Sequence, residues 1–304
     1  MAFDLYFAGS QCPESTDLIE QNGYCRLHSY YGDKTAIKRR FERNPEGKLF
    51  IDSGAFTAWT RGAKIDVDEY ISWLNENKDR IYLAGQVDVI AGERNRRATL
   101  EEQAEASRLT WENYLYMRER LDNPDVVVYT FHIGEDFKWL KQALAWKDPK
   151  TGKGFPYMAL GGTVGKPMPD KINWFRKVFQ IVEKSDNPNV KIHAFGMTSL
   201  RVLKMFPFAS ADSTGWIMTG SNGGIMTKIG VIQISENSKS DPNYVGNLPD
   251  EQKQYVRNIV EQFGYTMEQL AGDYKFRVCY NLKYLQDWAE HYEYKPLPKR
   301  NTLF

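Results

Sequence analysis

Residues 157–212 read YMALGGTVGKPMPDKINWFRKVFQIVEKSDNPNVKIHAFGMTSLRVLKMFPFASAD, and the hydrophobic period changes repeatedly along them. Residues 157–160 are an apolar run of strand length that stops at Gly161-Gly162. Residues 170–184 then carry Ile172, Phe175, Val178, Phe179 and Val182 at i, i+3, i+6, i+7 and i+10, which lays one apolar stripe along a helix. A second strand pattern at 191–195, a shorter helix at 199–206 and a third strand at 208–212 follow. Strands that alternate with helices are the mark of parallel βα units, because a parallel pair needs a crossover between its members.

The same alternation extends in both directions. Strand patterns fall at 5–9, 49–53, 81–88, 126–132, 157–160, 191–195, 208–212 and 230–234, with helical spacing at 67–78 and at 100–121, where Leu109, Tyr114 and Leu121 mix with Glu and Arg. Eight strands interleaved with helices predict an α/β fold of the TIM type, a closed (β/α)8 barrel, ahead of a doubly wound open sheet with similar alternation. From Ser235 the composition turns to Ser, Asn, Asp and Pro through Pro249, then becomes helical again. Residues 236–304 are therefore read as a C-terminal helical layer that closes the barrel, within a single domain spanning 1–304. A chain of 304 residues sits at the upper end of what one such barrel occupies. No fixed-period repeat and no low-complexity tract is visible.

Hydrophobic residues at 42% and charged residues at 26% describe a chain that folds around its own core. Forty Lys plus Arg against 39 Asp plus Glu leave a formal charge of +1, so no global field draws a polyanion and any nucleic-acid contact must be local. Basic clusters stand at Lys38, Arg39, Arg40 and Arg43, at Arg94, Arg96 and Arg97, and at Lys295, Lys299 and Arg300; each alone also suits a solvated helix or tail. The start, MAFDLYFAGS, has no basic leader, and nowhere do about eighteen apolar residues run together. Cys12, Cys25 and Cys279 are odd in number and widely spaced, which suits reduced thiols. The expectation is a cytoplasmic enzyme with no membrane association.

In a barrel of this type the active site is built at the C-terminal ends of the strands. Counting along the predicted strands, Asp52 ends the second, Asp88 the third, His132 the fourth and Asp212 the seventh, while Gly161-Gly162 follows the fifth. Buried carboxylates placed together raise one another's pKa, a cost a fold keeps mainly where chemistry uses it. Retaining glycosidic exchange is one such chemistry: one carboxylate attacks the anomeric carbon, and another group protonates the departing base. Each Asp singly is equally suited to capping a turn, as with Asp52 before Ser53-Gly54 or Asp212 before Ser213-Thr214. Taken alone, the residues define a carboxylate-based barrel enzyme.

Over about residues 48–230 the motifs resemble, in order, those of the tRNA-guanine transglycosylase family. Asp52-Ser53-Gly54-Ala55-Phe56 is similar to the family's Asp-Ser-Gly-Gly-aromatic segment, which implies Asp52 as general acid/base, Phe56 as a stacking ring and Ser53 as a neighbour of the substrate. Val87-Asp88 resembles the segment whose Asp reads a guanine-like edge, as a carboxylate accepting from N1–H and the exocyclic amine would. The stretch from Leu160 through Gly161-Gly162-Thr163-Val164-Gly165 to Lys166 and Pro167 resembles the glycine-rich loop whose backbone bonds the heterocycle, with Lys166 as a phosphate contact. Phe131-His132-Ile133-Gly134 stands where the family has Gln-Gly-Gly, so His132 is a departure. His193-Ala194-Phe195-Gly196 aligns with the segment that supplies a second stacking face, with a core or rim histidine as the alternative for His193. Ala211-Asp212-Ser213-Thr214-Gly215-Trp216 resembles the segment holding the nucleophile, which implies Asp212 in that role.

The family's tRNA enzymes carry a zinc subdomain with a tight Cys-x-Cys-x2-Cys and a later His. Nothing like it follows Asp212, and Cys12, Cys25 and Cys279 with His28 or His291 lack paired spacing. Neither a metal nor a cofactor is therefore expected. A short member without that subdomain resembles the DNA-modifying branch known from bacteriophages and bacterial islands, which implies replacement of guanine in DNA by 7-cyano-7-deazaguanine (preQ0) or a derivative. The implied partners are DNA, single-stranded or with the target guanine flipped out, and the free 7-deazaguanine base. Arg94, Arg96 and Arg97 would hold phosphates near the rim; a helper protein or a homodimer is left open. The same exchange on tRNA, a hydrolytic N-glycosidase and a non-enzymatic nucleic-acid-binding barrel are the alternatives.

Overall fold

The structure, a computed structural model, describes residues 3–9, 12–93, 96, 98–197 and 199–294. Its centre is a closed barrel of eight strands, every neighbouring pair parallel. In chain order these are β1 (Asp4–Ala8), α1 (Pro13–Gln21), β2 (Arg26–Ser29), α2 (Lys34–Arg43), β3 (Leu49–Asp52), α3 (Ala55–Thr60), α4 (Val67–Glu76), β4 (Leu83–Gly85) and α5 (Leu100–Arg120). Then come β5 (Val127–His132), α6 (Phe137–Ala145), β6 (Tyr157–Gly161), α7 (Met168–Glu183), β7 (Lys191–Ala194), α8 (Leu200–Met205) and β8 (Ser210–Ser213). The strand β8 closes on β1 with Tyr6 opposite Asp212.

The expected (β/α)8 barrel with added C-terminal helices is what forms, but its strands differ from the predicted set in two places. Arg26–Ser29 is a barrel strand that the sequence reading passed over, and residues 230–234 lie outside the barrel. There β10 (Gly230–Gln233) pairs antiparallel with β9 (Gly224–Thr227) as a two-stranded hairpin after α9 (Gly215–Ser221). The cause lies in strand length and composition: Arg26-Leu27-His28-Ser29 holds one apolar residue among four, too little for a period to register. Asp52, His132 and Asp212 consequently end or occupy the third, fifth and eighth strands, Asp88 follows the fourth, and Gly161 ends the sixth.

Strand alternation decides which side chains enter the barrel. Tyr6, Ala8, Leu27, Phe50, Leu83, Val128, Tyr157 and Ala159 fill the lumen as a core of their own, while the residues between them pack outward against the helices. Two positions beyond Phe50 is Asp52, and the same parity carries Val128 through Thr130 to His132 and Ser210 to Asp212. Polar residues in those registers must rise toward the open end.

After the hairpin come α10 (Asp250–Gln262), α11 (Met267–Gly272) and α12 (Tyr274–Glu290); α12 packs on β1, α1 and α9, with α11 against it. Buried Asn281 on α12 ties the layers together, donating to the Trp216 and Gly224 carbonyls at 3.3 Å each and accepting from Met226 N at 2.7 Å. Arg277 donates to the Gly220 and Leu270 carbonyls at 2.8 and 2.7 Å. Among the described residues, no helix is long and apolar enough to cross a membrane.

Candidate active site

Asp52, the last residue of β3, is half-buried, and its Oδ2 accepts from the Gly54 amide at 3.1 Å. Gly54 has φ +78°, and a Cβ there would meet Ser29 Oγ at 2.4 Å and Tyr31 Cβ at 2.7 Å, so only glycine folds this turn. The Asp52 carboxyl is pushed up to about 7 by burial first and then by the charges of Asp88 and Asp212, against the opposing pull of the Gly54 N–H. Asp52, Asp88 and Asp212 thus lie within one electrostatic field.

Asp88 is placed by the segment after β4, which α5 pins from behind: Thr110 Oγ1 accepts from Val89 N at 2.9 Å, and Asn113 donates to the Val87 carbonyl at 3.1 Å. Gln86 donates to Asp88 Oδ1 at 2.8 Å, and His132 Nε2 stands 3.4 Å from Oδ2. On its other side, His132 Nδ1 lies 3.2 Å from Glu135 Oε1, and the His132 amide donates to Glu135 Oε2 at 3.1 Å. Burial alone would lower the imidazole pKa, but the two carboxylates overcome it and hold it well above the usual histidine value. His132 thus sits clamped between Asp88 and Glu135, whose carboxylates favour its protonated form. Gly161 makes room for it, since a Cβ at that position would fall 2.7 Å from His132 Cδ2.

A prediction follows from that clamp. In Glu135→Gln the second carboxylate is lost, and an NMR titration of His132 is expected to show its midpoint moving down. An unmoved midpoint would assign the whole effect to Asp88. Because the pair raises the folded-state pKa, its stabilisation is present below the ordinary histidine value and is lost as pH rises through the raised midpoint.

Asp212 on β8 is 8% exposed. Its Oδ1 accepts from the Gly196 amide at 2.8 Å and lies 3.2 Å from His193 Nε2, while among the described residues Oδ2 has no hydrogen-bond partner. The expectation that His193 offers a stacking face is corrected here: it is fully buried in the lumen beneath Asp212, with Nδ1 2.7 Å from Ser210 Oγ. Register explains this, because His193 on β7 faces Ser210 on β8 and follows the inward parity of the strand.

The rim holds the remaining expected residues. Phe56 on α3 is 63% exposed and stacks one face toward Trp59 at 5.9 Å, which leaves an aromatic surface at the mouth. Ser53, by contrast, is buried and presents almost no surface to a ligand. Gly162 and Lys166 are exposed on the loop after β6. Arg96, expected to hold phosphate, instead spends its guanidinium on Glu102 at 2.5 and 2.9 Å, the residue that completes the capping box of α5. Arg94, Arg97 and the Lys295, Lys299 and Arg300 cluster lie outside the described residues.

A cavity of about 490 Å3 opens beside this mouth between α5 and the start of α6, and shares Asp88 and His132 as its inner wall. Its remaining walls include Val89, Leu100, Ser107 and Trp139, and its size falls in the range of small-molecule pockets. Asp52 and Asp212 do not line it. Among the described residues, no three His, Cys, Asp or Glu side chains group as metal ligands. Sequence reading missed Gln86, Glu135, Gly196, Ser210 and Tyr157; the only available signal was proximity, with Glu135 three residues past His132 and Ser210 two before Asp212.

No protein-family model matches the chain, and no curated protein matches it.

Proposed function

We propose that this chain is a base-exchange transglycosylase that replaces guanine in DNA with a 7-deazaguanine through a covalent glycosyl-Asp intermediate. The observation that carries this reading is the division of labour among carboxylates at one mouth. Asp212 has one oxygen held and one open, as a nucleophile needs, while Asp52 is pushed up to about 7, where it both gives and takes a proton near neutrality. Asp88 offers carboxylate acceptors to a heterocycle whose edge carries N–H groups, and His132, its ring nitrogens turned to Asp88 and Glu135, orients that carboxylate. Phe56 supplies a ring on which an extruded base stacks.

In the first half-reaction Asp212 Oδ2 bonds to C1′, the glycosidic bond breaks, and the departing guanine takes the Asp52 proton. In the second, the ring nitrogen of the entering base attacks C1′, the ester bond breaks, and the proton released by that nitrogen returns to Asp52. An anomeric carbon inside a stacked duplex is closed to in-line attack, so the target is a single-stranded or flipped nucleotide. DNA is favoured over tRNA because the sequence after Asp212 lacks the zinc motif of the tRNA enzymes it resembles.

The test is incubation of the protein with single- and double-stranded DNA, a tRNA pool and 7-cyano-7-deazaguanine, followed by nucleoside digestion and mass spectrometry. Modified deoxynucleoside is the expected product. Modification confined to tRNA would move the substrate and keep the mechanism, whereas base release without incorporation would make the protein a hydrolase.

A further inference from the structure

Beneath Asp212 runs a buried line of polar groups that the exchange as described does not use. Tyr157 Oη on β6 lies 2.7 Å from Ser210 Oγ, Ser210 Oγ lies 2.7 Å from His193 Nδ1, and His193 Nε2 lies 3.2 Å from Asp212 Oδ1. Ser210 and His193 are fully buried, and Tyr157 nearly so. Aromatic rings fix the imidazole plane, with Phe50, Phe195 and Tyr6 at 4.7, 4.6 and 5.8 Å between centroids.

Only one direction of donation satisfies every member. If Tyr157 donates to Ser210 and Ser210 donates to His193 Nδ1, then Nε2 carries the imidazole proton and gives it to the carboxylate. In the reverse order Tyr157 Oη–H would have no acceptor among the described residues, and with Nδ1 carrying the ring proton a bare Nε2 lone pair would face Asp212 Oδ1. Burial raises the Tyr157 pKa, so the phenol keeps the proton this order requires.

We propose that Tyr157, Ser210 and His193 form a fixed hydrogen-bond relay that holds His193 Nε2–H on Asp212 Oδ1, making Oδ2 the nucleophilic oxygen and easing release of the carboxylate in the second half of the exchange. The proposal rests on the transglycosylase reading. Its direction follows from charge. When Oδ2 bonds to C1′, the negative charge on Oδ1 falls, and it returns as the ester breaks. Donors fixed on Oδ1 therefore favour the free carboxylate over the ester, which assists the step that expels Asp212. No proton travels along the relay, and His193, Ser210 and Tyr157 act as positioning residues through Asp212.

The experiment has two arms. In the first, protein is mixed with a single-stranded DNA oligonucleotide without free base, the covalent adduct is trapped by denaturation, and its decay is timed after 7-cyano-7-deazaguanine is added. In His193→Leu, decay is expected to slow by on the order of 10²-fold while the adduct still forms. His193→Gln, whose amide nitrogen reaches where Nε2 stood, is expected to recover to within roughly tenfold of the unmodified protein. Ser210→Ala, the gentler change, should slow decay partially. Wild-type decay in His193→Leu, or no recovery in His193→Gln, overturns the proposal.

The second arm needs no turnover. Imidazole 15N spectra of the four histidines, assigned by difference with His193→Gln, should show His193 protonated at Nε2 and bare at Nδ1, a pattern lost in Ser210→Ala. Protonation at Nδ1 alone, or a spectrum indifferent to Ser210→Ala, overturns the relay geometry. Wild-type protein that yields neither adduct nor product on any nucleic acid sinks the transglycosylase reading and the catalytic half of the proposal with it, while the relay is still decided by the spectra.

Discussion

Asp212→Asn is expected to give a folded protein that forms no covalent adduct with DNA and whose exchange rate falls by on the order of 10⁴-fold or more, the scale of removing a nucleophile. Asparagine is the informative replacement because it is isosteric. Its side-chain oxygen can still accept from Gly196 N and His193 Nε2, so the two donors under Asp212 keep their acceptor, whereas alanine would strand both in a nearly dry site. What asparagine lacks is the charge and the open carboxylate oxygen. The substitution also removes one of the like charges acting on Asp52, leaving Asp88 and the weaker Asp33, so the Asp52 pKa should fall in this variant. Adduct trapping and single-turnover product formation measure the first effect; a pH titration followed by carboxyl 13C shifts measures the second. Exchange at the wild-type rate would transfer the nucleophile's role elsewhere.

The barrel was legible because its outer layers obey simple periods. The stripe Ile172, Phe175, Val178, Phe179 and Val182 gave α7 to within two residues of each end, and 67–78 and 100–121 gave α4 and α5 nearly as closely. What failed was β2, where the lumen side needs only Leu27 and the outward side holds buried Arg26 and His28. Buried charge between strand and helix inverts the pattern on which strand recognition depends. At the site, sequence position identified the carboxylates because strand ends are fixed by chain order. It missed their partners because Glu135, Gln86 and Ser210 matter only through side-chain distances, and those are set by closure of the whole ring. His193 is the instructive case: a motif placed it at the mouth, and strand parity put it in the lumen, fully buried beside Asp212.

Asp52→Asn carries the second large effect, and it has opposite signs for activity and stability. The Asp52 pKa is raised from 3.8 to about 7, with burial the leading cause and the charges of Asp88 and Asp212 next. A carboxyl whose folded-state pKa is raised stabilises the fold while it is protonated, and that contribution is lost as pH climbs from about 4 through about 7. Asparagine cannot ionise and can still accept from the Gly54 amide, so the variant keeps what the wild type gives up. Below about pH 4 the two proteins should melt together; above about pH 7 the variant should be the more stable by on the order of a few kcal/mol. Urea unfolding at pH 4 and pH 8 reads the difference directly, and equal midpoints at pH 8 would mean that Asp52 ionises without penalty. Activity runs the other way. With no proton to give the departing guanine, turnover should drop by about 10²- to 10⁴-fold, the range of a lost general acid. The wild-type pH–rate profile should also bend near 7, a feature absent from the residual rate of the variant. A site residue whose removal strengthens the fold while it silences the chemistry is held in place by that chemistry, since packing and solvation would both discard it.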